Sequence, residues 1–140
     1  MNRIARYLMP VAAVAMLAGC GMKQGFEDAS REVGRFHQAL DHGDAQRIWD
    51  DADPQFRSAT PRAQFNRLIA AVHAKLGKVK ASKQVGWNAN ASTSGTFLTV
   101  TMETTFERGT GTEQLLFTKQ ADQRPRLAGY NIQSQDMMLN

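Results

Sequence analysis

The sequence predicts an α+β domain in which N-terminal helices pack on a curved antiparallel four-stranded sheet. Three observations carry this. Between Phe26 and Leu76 the apolar residues recur at steps of three and four, the period of helices with one buried face. After Gly77 the period falls to two, and the composition shifts to Thr, Val, Leu and Phe, as in "TFLTVTMETTFE" over residues 96–107. Helices grouped ahead of strands give segregated layers, not the alternation of a parallel sheet.

The first helix opens at Phe26 and carries Phe26, Ala29, Val33, Phe36 and Leu40 on one stripe, with Glu27 and Arg31 spaced to pair outside. Asp41-His42-Gly43-Asp44 ends it: Gly43 suits a C-terminal cap and Asp44 an N-cap for a short helix bearing Ile48 and Trp49. Asp53-Pro54 and Thr60-Pro61 are cap-plus-proline starts, with Phe56 tucked inward between them. The helix after Thr60-Pro61 buries Phe65, Leu68, Ile69, Val72 and Leu76, places Lys75 in its last turn and stops at Gly77. Val79, Ala81, Lys83, Val85, Trp87 and Ala89 then alternate as a first strand, and Leu98, Val100, Met102, Thr104 and Phe106 share one face of a second. Turns fall at 90–95, 108–111 and 122–125, with a third strand over Thr112–Lys119 and a last one in "RLAGYNIQS".

The N-terminus reads as an address. Arg3 and Arg6 precede a ten-residue apolar run, Leu8–Leu17, which is too short for a spanning helix of ~20 residues. The run ends in Leu17-Ala18-Gly19-Cys20, which resembles the lipobox of bacterial lipoproteins. That resemblance implies cleavage after Gly19, and lipid on the Cys20 sulfur and on its freed amine. The expected organisation is a signal peptide at 1–19, a lipidated tether at 20–25, one domain at 26–136 and a tail at 137–140. Cys20 is the only cysteine, so the domain must hold by packing without a disulfide. Loss of Arg3 and Arg6 leaves fifteen Lys and Arg against thirteen acids, a balance that gives no basis for a nucleic-acid partner.

The LAGC tetrapeptide, then "FHQALDHGDAQRIWD", "DPQFRS", "GKVKASKQVGWN", "GTEQLLFTK" and "LAGYNIQS", form a series that resembles small bacterial proteins with a DUF4019- or DUF3887-type domain. The resemblance covers nearly all of residues 26–134 and implies a layout similar to cystatin-like and NTF2-like folds, a half-barrel with helices closing its concave side. It implies no activity, because NTF2-like proteins include both enzymes with Asp, His and Tyr in the cone and pure binders.

Candidate chemistry is sparse. His37 and His42 are five apart, where zinc pairs on a helix want four. His37 and Asp41 stand at i and i+4, which reads as a surface pair. An EF-hand loop from Asp51 would need glycine where Phe56 stands and glutamate where Arg62 stands, so Asp50, Asp51 and Asp53 make no calcium loop. No metal and no cofactor is expected. Lys75, Lys78, Lys80 and Lys83 crowd one junction without interleaved aromatics and read as solvated charge. Trp49, Trp87 and Tyr130 have the polar-tipped rings that line ligand clefts, and they serve equally well as core.

The reading that follows is a membrane-anchored lipoprotein of the cell envelope, held through lipid on Cys20, with a binding or interaction domain for a protein partner or small ligand. The resemblance to bacterial lipoproteins, with Gly21 in place of the aspartate that retains many of them at the inner membrane, implies the outer membrane, with the domain facing the periplasm. The alternatives are an NTF2-like cavity enzyme using Tyr130 or a cone-facing acid, and an envelope inhibitor or immunity protein.

Overall fold

The computed structural model describes residues 12–140 apart from Asp122, with side chains described from Lys23 onward. Five helices and four strands follow in the order α1 (Ala12–Asp41), α2 (Ala45–Asp51), α3 (Pro54–Ala59), α4 (Arg62–Leu76), β1 (Val79–Ser92), β2 (Gly95–Phe106), β3 (Gly109–Lys119), β4 (Arg126–Gln133) and α5 (Gln135–Leu139). The strands form one antiparallel meander, β1-β2-β3-β4, with helices on one face. This is the α+β architecture expected from the change of period at Gly77.

Helix α1 starts well before Phe26. Residues 12–24, "AAVAMLAGCGMKQ", are mostly strong helix formers, and glycine costs only about 1 kcal/mol per position. The 20–25 segment, expected as a tether, is therefore helical. The expected signal peptide, the cleavage after Gly19 and the lipid on Cys20 concern side chains outside the described ones. Among the described residues no helix is long and apolar enough to cross a membrane.

The caps at Asp44 and Asp53 act as the sequence implied, whereas Thr60 ends α3 by donating to the Phe56 carbonyl and Pro61 precedes α4 without a side-chain cap. Asp44 accepts from the Arg47 amide at 3.0 Å, and Asp53 Oδ1 from the Gln55 amide at 2.8 Å. Gly77 ends α4 with φ +76°, a conformation that disfavours a side chain. Two other details differ. Arg31 pairs with Asp28 on α1 rather than with Glu27. The tail expected from residue 137 is the second half of α5, capped by Ser134 and tied down by Lys75 Nζ donating to the Met137 carbonyl at 2.7 Å.

Strand β1 departs from simple alternation. Its register against β2 shifts between Val79 and Ala81 and again between Gln84 and Gly86. Each bulge turns the following side chains to the other face. Ser82, Gln84, Trp87 and Ala89 lie opposite Thr104, Met102, Val100 and Leu98 on the helix side, while Ala81 and Lys83 lie opposite Thr105 and Glu103 on the open side. The expected face of Ala81, Lys83, Val85 and Trp87 is thus split by the two bulges.

The core sits between α1, α2, α4 and the sheet. Ala29, Val33, Phe36 and Leu40 from α1 meet Phe65, Ile69, Val72 and Leu76 from α4, over Leu98, Val100, Met102 and Phe106 from β2 and Leu115 and Phe117 from β3. Phe36 is only 5% exposed, and its ring centroid lies 4.5 Å from that of Tyr130. Phe36→Ala should cost about 3–5 kcal/mol. Against a typical domain stability of ~5–15 kcal/mol, that appears as a large drop in melting temperature. A melting temperature equal to wild type would mean that the α1 stripe does not pack on the sheet.

Candidate functional site

Glu113 is the most unusual residue of the interior. Period two along β3 puts it on the same face as Leu115 and Phe117, and it is fully buried. Three elements bring donors to its carboxylate. Helix α1 supplies His37, whose Nε2 lies 2.7 Å from Oε1. Strand β2 supplies Thr104, whose hydroxyl donates to Oε1 at 2.5 Å. Strand β4 supplies Tyr130, whose hydroxyl donates to Oε2 at 2.7 Å. Ser82 on β1 extends the chain through a 3.0 Å contact with the Thr104 hydroxyl. All four strands and α1 therefore join in one polar cluster.

The electrostatics follow from this geometry. Burial pushes the Glu113 carboxyl up, but the His37 ring, Thr104 and Tyr130 together hold it below the ordinary glutamate value of 4.5. Tyr130 moves the other way: burial, reinforced by the neighbouring carboxylate, raises its phenol well above 10.0. Tyr130 therefore stays a neutral donor and Glu113 an ionised acceptor at neutral pH.

Glu113 is fully buried in the same core as Phe36, Leu40, Phe106, Leu115 and Phe117, each at most 5% exposed, and Tyr130 is part-buried against Phe36. The small hollow of about 30 Å³ between α1, α2, β3 and β4 touches Phe36 and Phe117, without Glu113 or Tyr130 in its lining. Three donors aimed at one carboxylate make a fastener between helix and sheet.

The residues expected as a ligand cleft go to three separate places. Tyr130 joins the Glu113 cluster beside Phe36. Trp49 is buried among Phe56 and Phe65, with the Arg62 guanidinium 5.7 Å above its ring. Trp87 lies on edge strand β1, 41% exposed, edge-on to Phe26 at 5.5 Å. The aromatic contacts join no two of these three.

His37 corrects the surface reading. It is 8% exposed and turned inward to Glu113, while Asp41 accepts from the Val79 amide at 2.8 Å. The i,i+4 spacing was real, but each partner found a stronger tertiary contact. His42 bonds back to the Gln38 carbonyl. Asp50 takes Gln46, Asp51 takes Arg124, and Asp53 caps α3 while accepting from Thr118. Among the described residues no cluster of three or more His, Cys, Asp or Glu is arranged to hold a metal ion.

Glu113 escaped sequence reasoning, although its signal was present. In "TEQLLF" the acid shares a period-two face with Leu115 and Phe117, which marks it as inward-facing once the strand is placed.

The surface carries a second feature. A groove of about 240 Å³ runs between α1 and the β3–β4 turn, lined by charged residues of both. Lys119 bonds Asp28 at 2.9 Å, Arg35 approaches Glu32 at 3.7 Å, and Arg124 bridges toward Glu32 at 3.9 Å and Asp51 at 3.2 Å. Lys119, ahead of burial, sets Asp28, which sits below the usual carboxylate range. Burial lifts Glu32 above the ordinary glutamate value against the pull of Arg124 and Arg35.

A family model described as a protein of unknown function, DUF4019, matches residues 33–130, more than half of the chain. The match spans His37, Thr104, Glu113 and Tyr130. No curated protein matches.

Two outcomes test the cluster. Glu113→Ala should destabilise the domain by about 3–5 kcal/mol, because the buried donors lose their acceptor. Tyr130→Phe should cost less, about 1.5–3 kcal/mol, the range for one hydrogen bond to a charged group. Denaturant titrations check both, and equal losses would contradict the central role of the carboxylate. The pH dependence has a definite sign. The folded-state value of Glu113 lies below its unfolded value, so its contribution is complete above about 4.5 and is lost as pH falls through the depressed folded value. Stability measured from pH 6 downward should fall in that acid range in wild type, and the acid-linked fall should be smaller in Glu113→Gln.

Proposed function

The chain belongs to the DUF4019 family, and on that premise we propose that it is a membrane-anchored periplasmic lipoprotein whose domain binds a protein partner or small ligand at its surface. The burial of Glu113 supports the binding part of this reading. A cavity enzyme needs an opening beside its acid, and Glu113, the best-placed acid, is fully buried with its carboxylate taken up by His37, Thr104 and Tyr130. Recognition then falls to the outside, where Val85 is 47% exposed on the edge of the sheet.

The anchor part is supported by Arg3 and Arg6, the apolar run that follows them, and the small residues ahead of Cys20. Two acyl chains or more make a stable hold where one is marginal, at roughly 0.8 kcal/mol per buried CH₂. The family match begins at residue 33, beyond this segment, so the anchor rests on the N-terminal residues themselves.

Labelling cells with [³H]palmitate tests the anchor. Wild type should be labelled and Cys20→Ala should not. Label that persists in Cys20→Ala removes the lipoprotein reading. Sucrose-gradient fractionation tests the address: wild type should travel with outer-membrane markers, and Gly21→Asp should move it to the inner membrane. Affinity capture from detergent-solubilised envelope, wild type against Val85→Lys, tests the binding face. A specific protein lost with Val85→Lys is the expected result, whereas identical capture by both would place recognition elsewhere.

A further inference from the structure

The strand register places particular features at one end of the domain. Thr96 pairs with Lys119, so the β1–β2 hairpin at 92–95 and the β3–β4 turn lie together. Lys119 in turn reaches Asp28 of α1, so the helix passes over this same end. Asp28 follows Cys20 by eight residues of continuous helix, a rise of about 12 Å.

This end carries the charged groove. Its two carboxylates are half-sunk, the side chains of Asp28 and Glu32 being 14% and 12% exposed, and both are already paired. Its cations stand at the rim: the side chains of Arg31, Arg35 and Arg124 are 61%, 50% and 43% exposed. Counting Lys119, four cations and two acids line about 240 Å³, and Asp51 just outside pairs with Arg124, leaving an excess of one positive charge and unused guanidinium donors. Asp122, in the same turn, lies outside the described residues. On the other flank of α1, at the level of Phe26, the indole of Trp87 stands part-exposed. Cations beside a half-exposed indole are the pairing found where proteins rest on lipid headgroups.

We propose that this end of the domain lies flat on the bilayer, with Arg31, Arg35, Lys119 and Arg124 holding headgroup phosphates of anionic lipid and Trp87 resting in the interface. The inference rests on the lipid anchor at Cys20, which holds this end within reach of the membrane. Lipid is the source of the phosphate because the groove stands one short helical stretch from the anchor and an indole stands on the other flank of the same helix. The opposite end, with the β2–β3 turn and α5, then faces outward into the aqueous compartment.

The full chain, purified from membranes, is reconstituted into vesicles of phosphatidylcholine with or without phosphatidylglycerol, using brominated acyl chains as tryptophan quenchers. Trp49 is buried in the core, so Trp87→Phe reports its background. Strong quenching in the anionic vesicles should disappear in Trp87→Phe. It should fall to the phosphatidylcholine level in Arg31→Gln/Arg35→Gln and persist in Arg31→Lys/Arg35→Lys, which keeps the charge. Both arginines pair only along α1, so circular dichroism should show each double variant folded. Flotation in the same tubes reads the anchor separately. A chain that floats without Trp87 quenching overturns the docking and leaves the anchor standing, whereas a chain that does not float overturns both. A rise in melting temperature with inorganic phosphate alone, lost in the glutamine variant and unaccompanied by quenching, would assign the groove to a soluble anion and overturn the bilayer reading.

Discussion

The fold is organised around one buried negative charge. A carboxylate removed from water is costly, and Glu113 is tolerated only because His37, Thr104 and Tyr130 converge on it from three other elements. Their convergence fixes more than energy. Helix α1 cannot slide by a turn without losing His37, and β4 cannot slip by one residue without turning Tyr130 to the open face. The apolar contacts around the cluster tolerate many arrangements; the hydrogen bonds tolerate one. Thr104 shows the coupling most directly, since it serves Glu113 on one side and Ser82 of β1 on the other.

Much of the architecture was legible because it depends on local rules. The stripe from Ala29 to Leu40, the cap at Asp44, the start at Asp53-Pro54 and the stop at Gly77 follow from periodicity and backbone chemistry, and the structure realises all of them. The strands were placed by alternation and the meander by short turns. What escaped was decided by tertiary contact. His37 looks like a surface residue until β3 is laid under α1, and only then does an acid appear opposite it. Of the two bulges of β1, the second carried a marker in Gly86, an isolated glycine within the strand, whereas the first, at the ordinary strand residue Lys80, carried none. The α5 helix was hidden by its length: five residues give too little periodicity to distinguish a helix from a tail.

The candidate site illustrates the same division. Tyr130 was singled out for having a polar tip on an apolar ring, and that property is what the structure uses, directed at Glu113 rather than at a cleft. Trp49 and Trp87 have the same chemistry but different fates, because one is surrounded by α3 and α4 and the other lies on a strand that the helices leave part-covered. Residue type indicates what a side chain can do. Its neighbours decide whether it binds a ligand or closes a core.

The two bulges in β1 have a consequence beyond the face each residue takes. An open sheet edge is a template on which another chain can add a strand, and β1 is fourteen residues long. Its ladder changes register twice within the first half, and the same stretch carries exposed Lys80 and Lys83. A second strand approaching that half meets a kinked row of amides and like charges instead of a flat, regular one. Crowded copies of a domain collide often, and an edge that refuses its own kind lets them remain separate.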